Sequence, residues 1–273
     1  MKRLFTFFLT IVAMTFFLNA QNRAEDKLEL ANSLGKSMPD SAIAIFKEVM
    51  DEEPDTSIAF ARAFFNIAVI QSMVGNIDST TMWYNKIINS NLNDDHPGTG
   101  FFETYACYHH NAAIQLAIFL FHKQEYNAAI ENFERALYEF PYKSTSGTSM
   151  GKRSNSIQLW ISRCYQSIED YESSVVTIIN GLLDCYVPMQ PELELELTVA
   201  IMKNGGTDKL KSKMKDALKS LESIGGFTHS IVGEKNRWKF QLYGQNVYVC
   251  INEKNATKQE VIDLLANTSW FPY

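Results

Sequence analysis

The chain has 273 residues, 46% apolar and 21% charged, with 13 Gly and 7 Pro, a composition that excludes a disordered or collagen-like protein. Its 25 Lys and Arg stand against 31 Asp and Glu, a formal charge of -6. That balance argues against a protein whose main work is covering phosphates, so nucleic acid is not an expected partner.

Met1-Lys2-Arg3 is a short cationic start, and Leu4 to Leu18 is an apolar run interrupted only by Thr6, Thr10 and Thr15 and closed by Asn19-Ala20. Charge, apolar core and small residue in that order make a secretory signal peptide. The run is shorter than the about 20 apolar residues of a spanning helix. Residues 1–20 are therefore read as a cleaved signal, and the mature chain as exported, periplasmic or secreted, with no membrane span. No Cys lies near the cut to carry a lipid. Cys107, Cys164, Cys185 and Cys250 are widely spaced with no CxxC, which predicts buried thiols rather than a disulfide framework.

Over residues 21–188 the chain repeats itself at about 34-residue spacing. A first unit, 23–56, shows Pro39-Asp40-Ser41-Ala42, Phe46, Val49 and Pro54; a second, 61–94, shows Ile67, Ala68, Gly75, Ile77, Tyr84 and Ile87. A third starts at His110 and carries Leu116, Ala117, Tyr126, Ala129, Phe133, Ala136 and Pro141. A fourth, 155–188, has Ile161, Ser162, Tyr165, Tyr171, Ser174, Ile178 and Pro188. Small Ala117, Ala129 and Ala136 let two antiparallel helices approach closely, while Phe133 and Leu137, four apart, bury against the partner helix. Pro141 ends the unit. One such hairpin cannot hide its apolar face, so it must stack on copies of itself.

The third unit resembles a tetratricopeptide repeat: Leu116 and Ala117 stand at the family's Leu-Gly positions, Tyr126 at its central aromatic, Ala129 at its small residue, Phe133 and Ala136 at its packing pair, and Pro141 at its terminator. The other units keep the spacing but replace the family's Gly by Ala or Ser. The resemblance implies a mostly α fold, a right-handed α-solenoid of helical hairpins. Two insertions fall between units. Asp94 to Gly100 is followed by Phe101 to His109, whose pattern is expected to lengthen the next helix. Ser144 to Ser154 reads as a Ser/Thr/Gly-rich loop.

Beyond Pro188, Glu192 to Leu197 alternates like a strand, yet Leu193, Leu197, Ala200 and Ile201 form a helical stripe of good helix formers. Gly205-Gly206 breaks the chain before Thr207-Asp208, an N-cap signal. Residues 189–226 are accordingly a degenerate helical hairpin. Trp238 to Tyr243 and Val247 to Ile251 flank Gly244-Gln245-Asn246 as a β-hairpin, and Thr257-Lys258-Gln259-Glu260 is a capping box for a last helix. Residues 227–273 thus form a small α+β C-terminal cap.

No catalytic, cofactor or metal site is expected. Gly147-Thr148-Ser149-Met150-Gly151 matches G-x-S-x-G, but a nucleophile elbow needs a strand running into it, and a helix with Phe140-Pro141-Tyr142 precedes it. The segment ending at Arg153 has Ser146 where a phosphate loop needs Gly. Glu103, Cys107 and His110 would share one helix stripe with metal-ligand chemistry, yet a further ligand is missing. Five lysines between Lys209 and Lys219 are read as the solvated side of an amphipathic helix.

The remaining candidate is the inner face that the resemblance implies, lined by first-helix positions. These are Arg62, Phe65, Asn66 and Val69 in the second unit, and Asn111, Ile114, Gln115, Ile118 and Phe121 in the third. The fourth adds Leu159, Trp160, Arg163 and Gln166. An apolar floor with amides and two Arg suits an extended peptide. It lacks the Lys and Asn of the carboxylate-clamp variety, so a chaperone tail is not implied. The expected function is a non-enzymatic binding or scaffold protein that holds a protein or peptide on that face. Alternatives are an exported enzyme or enzyme inhibitor acting through the C-terminal cap, and a glycan-binding uptake component.

Overall fold

The computed structural model describes residues 23–98, 103–183, 191–229, 233–251 and 256–267. The signal-peptide reading of residues 1–20, the terminator Pro188 and Cys185 lie outside them. The fold is mostly α, consecutive helical hairpins followed by a small antiparallel sheet. No helix among the described residues is long and apolar enough to cross a membrane. The chain divides into two units, residues 1–99 with 105–116, and residues 100–104 with 117–273.

In the first unit, α1 (23–34) and α2 (Pro39–Glu52) make one hairpin, and α3 (Ile58–Val74) and α4 (Ile77–Ile88) the next. Local chemistry sets the ends. Ser57 caps α3 by accepting from the Phe60 amide at 3.0 Å, and Asn76 caps α4 through the Ser79 amide at 2.9 Å, each meeting a donor the helix leaves unpaired. Between them Gly75 sits at φ 82, a left-handed turn that favours glycine and lets α4 fold back at once. Leu28, Ala31, Phe46, Val49, Ala63 and Ile67 are fully buried in one cluster. Its alanines allow the helix contacts predicted for small residues.

The inserted segment before α5 (Tyr108–His122) does not lengthen that helix, as its pattern suggests it should. Tyr105 pairs instead with Pro97 in an isolated bridge, and the Ala106 amide donates to the His96 carbonyl at 2.8 Å. Pro97 favours extended backbone, and the Ala106 and Cys107 amides are engaged by the His96 and Asp94 carbonyls rather than in a helix. His109 fastens it: its Nδ1 lies 2.9 Å from Asp94 Oδ1 and its Nε2 3.0 Å from the Ser90 carbonyl.

In the second unit, α6 (Tyr126–Glu134) runs into a π-helical turn, Arg135–Glu139, closed by the Phe140 amide on the Arg135 carbonyl at 2.8 Å. Then come α7 (Gly147–Ser167), α8 (Tyr171–Leu182), α9 (Pro191–Lys203) and α10 (Thr207–Ala217). α7 begins well before residue 155. Ser146 accepts from the Ser149 amide at 3.3 Å, and Gly147 and Gly151 are buried, so the segment read as a loop is capped and helical from Gly147. The alternating Glu-Leu run is helical too, with Leu193, Leu197, Ala200 and Ile201 buried, as the stripe predicts. Gly206, with no side-chain cap, precedes α10 in place of Thr207.

The cap holds one strand more than the expected hairpin. Strands β1 (Glu222–His229), β2 (Gly233–Leu242) and β3 (Gln245–Ile251) lie in chain order and pair antiparallel, with a bulge between Ser223 and Gly225. Trp238, Phe240, Val247 and Val249 alternate inward and share one core with Val176, Leu193, Leu210 and Met214 of α8 to α10. The Thr257–Glu260 capping box starts α11 (Lys258–Ala266). Sheet and preceding hairpins are therefore one packed body, with no separate core for residues 227–273 among the described residues.

Candidate partner-binding face

Each unit carries part of the predicted face, built from first helices of neighbouring hairpins. In the first unit, Arg62 Nη1 of α3 reaches both carboxylate oxygens of Glu25 on α1, at 2.7 and 2.8 Å. One turn on, Asn66 Nδ2 donates to Asn32 Oδ1 at 3.0 Å. Phe65 meets Tyr84 edge-on at 6.1 Å and tilts against Tyr108 at 6.5 Å. Asn111 is half-buried and donates to the Ala106 carbonyl at 2.8 Å; Ile114 is buried and Gln115 exposed.

In the second unit, Ile118, Phe121, Trp160 and Gln166 are half-buried and Arg163 is 45% exposed. Trp160 lies parallel to fully buried Phe133, centroids 6.1 Å apart, and meets Phe121 edge-on at 5.0 Å. These are favourable aromatic geometries. The Arg163 guanidinium covers the Trp160 ring at 5.6 Å, a cation–π contact. Its Nε is 3.5 Å from Glu196 Oε2, while Gln166 Nε2 donates to Glu196 Oε1 at 2.6 Å and its Oε1 accepts from Lys203 at 3.4 Å. Trp160 is thus a seam residue with one exposed flank.

Sequence reasoning alone missed Glu25, Asn32, Glu196 and Lys203. The signal was available: the pairs are separated by 37, 34, 33 and 37 residues, one repeat period, which places both members on successive first helices. Val69 is half-buried beside this stripe, and Leu159 packs on the core of the second unit instead.

No family model and no curated protein matches the chain. Among solved structures it is similar to a Podosopora anserina protein described as a putative kinesin light chain with nearly identical TPR-like repeats. That protein is 14% identical at a TM-score of 0.47, covering 71% of this chain and 92% of the other. A single-substitution variant of the same protein is 13% identical at the same TM-score and coverage. At these values the likeness carries no argument about partner or chemistry; the repeat reading stands on the hairpins and the period of the cross-helix pairs.

Ser149 lies in the first turn of a helix with no strand leading in. Glu103 and Cys107 precede α5 rather than sharing a stripe with His110, Cys107 sits at φ 46, and among the described residues no group of His, Cys, Asp and Glu is placed to hold a metal. Burial pushes the Cys164 thiol up to about 12, which leaves it protonated and unreactive. Cys164 is a free, buried thiol.

Proposed function

We propose that the protein is an exported, non-enzymatic binding protein that holds a protein or peptide segment against the first helices of its hairpins, with the Trp160–Arg163 corner as the anchor. The observation that carries this reading is the partial freedom of Arg163. It stays 45% exposed over a half-buried Trp, and aromatic and Arg side chains dominate affinity at interfaces. Gln166, Glu196 and Lys203 frame the corner with donors and acceptors for an extended backbone.

The test starts from the exported protein. N-terminal sequencing should give a start at or near Gln21; cytoplasmic material beginning at Met1 sinks the export. A partner captured by cross-linking should bind Arg163→Ala more weakly by about 2 kcal/mol, the scale of a hot-spot residue, with circular dichroism unchanged. Undiminished binding by that variant removes the site from this corner.

A further inference from the structure

On the opposite stripe of α7 from Trp160 and Arg163, a cleft of about 580 Å³ opens between α6 with its π-helical turn, α7, α8 and β3. Its walls are of an unusual kind. Three tyrosines enter it, Tyr138 from the π turn, Tyr165 from α7 and Tyr248 from β3. The π turn inserts an extra residue into the helical path and leaves Tyr138 79% exposed on the rim; Tyr248 is 44% exposed. Between the rings stand amides and hydroxyls, with Glu134 the one carboxylate and Arg237 the one guanidinium among the described lining residues.

Gln158 also lines the cleft; its Oε1 is buried against Gly181 and, among the described residues, has no hydrogen-bond partner, and the missing side chain of Gly181 leaves it room, since a Cβ there would lie 2.9 Å from that oxygen. Three outward backbone groups of β3 are already engaged. Asn180 accepts from the Tyr248 amide at 2.9 Å and donates to the Asn246 carbonyl at 3.2 Å, and the Cys250 amide donates to the Leu183 carbonyl at 3.4 Å. These bonds compete with an extended peptide for that strand edge.

We infer that this cleft binds a neutral oligosaccharide, its pyranose faces stacked on Tyr138 and Tyr248 and its hydroxyls meeting the amides and hydroxyls that stand between those rings. The negative faces of phenol rings attract the polarised C–H groups of a sugar ring by the same quadrupole that attracts ring edges. Neutral amides and phenols give and accept hydrogen bonds as sugar hydroxyls do, whereas one carboxylate and one guanidinium in the lining offer no net charge to an anion. Partial desolvation, helped by Glu131, raises the Glu134 carboxyl, and burial raises the Tyr165 phenol, so that phenol remains a donor at neutral pH. Glycoside hydrolysis by the ordinary route takes a pair of carboxylates; with Glu134 alone the site holds sugar without cutting it.

The experiment is calorimetric titration of the full chain with maltohexaose, cellohexaose, xylohexaose and chitohexaose in separate runs. One of them should bind. Tyr138→Ala and Tyr248→Ala should each weaken it up to about tenfold, the upper end of what one ring contact supplies. Tyr248→Phe should keep most of it. Arg163→Ala should leave sugar binding unchanged, which separates this site from the peptide-binding corner on the other stripe. Absence of binding to all four sugars, or binding that survives both tyrosine truncations, overturns the inference.

Discussion

Two arginines sit between first helices, one in each unit, and they are held differently. Arg62 puts one nitrogen 2.7 and 2.8 Å from both oxygens of Glu25 and is 29% exposed; Arg163 stands 3.5 Å from one oxygen of Glu196 and is 45% exposed. Glu196 has a second client, since Gln166 holds its other oxygen at 2.6 Å. A close charge-assisted contact fixes the orientation of a guanidinium on its partner. The same stripe of the repeat is therefore a clasp where the carboxylate is dedicated and a presenting surface where it is shared. A first-helix position does not by itself make a binding residue; what its neighbour one repeat away does with it decides.

The largest break in the comparison comes from the packing beneath Arg163. Phe133 is fully buried and carries the Trp160 ring, so Phe133→Ala should cost about 3 to 5 kcal/mol, the range for deleting a buried aromatic. It should also loosen the ring that Arg163 covers. Ser149→Ala, a small change in the first turn of α7, should leave the unfolding temperature alone. Equal shifts for the two variants in a thermal unfolding series would show that α6 and α7 do not pack as described.

A second cut sharpens the picture of the first unit. Tyr84 lies under Phe65 on the Arg62 side, and its hydroxyl is buried without a well-formed hydrogen bond among the described residues. Burial, opposed only weakly by the Ser72 side chain, pushes its phenol up to about 12 from 10.0. The folded state thus favours the protonated form. The stability this gives is complete below pH 10 and is lost as pH rises towards about 12, by at most about 2.7 kcal/mol at 1.36 kcal/mol per unit. Tyr84→Phe should be as stable as the parent at neutral pH or more so, because it removes a poorly paired hydroxyl. It should also lose less stability between pH 10 and 12. Identical alkaline profiles in urea unfolding would mean that Tyr84 is not the group that titrates.

The hairpins could be read from the sequence because their signals are local and repeat: small Ala129 and Ala136 where helices touch, Phe133 four residues before Leu137, Gly75 and Asn76 at a turn. The unforeseen parts each depended on something distant or ambiguous. Gly147 to Ser154 has loop composition, yet Ser146 supplies a cap and the two glycines are buried, so tertiary contact overrides propensity. β1 contains Gly225-Gly226, which reads as a break, and exists because β2 offers it a ladder. At the candidate face, Arg62 and Arg163 are indistinguishable as letters. Their different roles come from Glu25 and Glu196, each about one repeat away, and no single helix window shows both partners.

The finest test exchanges the two arginines' fates. Arg62→Ala removes a pair that is partly exposed, so it should cost no more than about 1 kcal/mol, and the cost should shrink as salt screens the charges. Arg163→Ala should cost no more, since its ion pair is a single 3.5 Å contact, its cation–π contact with Trp160 is partly exposed, and Gln166 keeps Glu196 oriented. In partner binding the order inverts: the Arg62 variant should bind as the parent does, and the Arg163 variant should lose affinity. Chemical denaturation at low and high salt, run beside a binding titration on the same preparations, reads both orders at once. If Arg163→Ala proves the more destabilising and Arg62→Ala the more damaging to binding, clasp and presenting surface have been assigned the wrong way round, and the partner belongs on the face of the first unit.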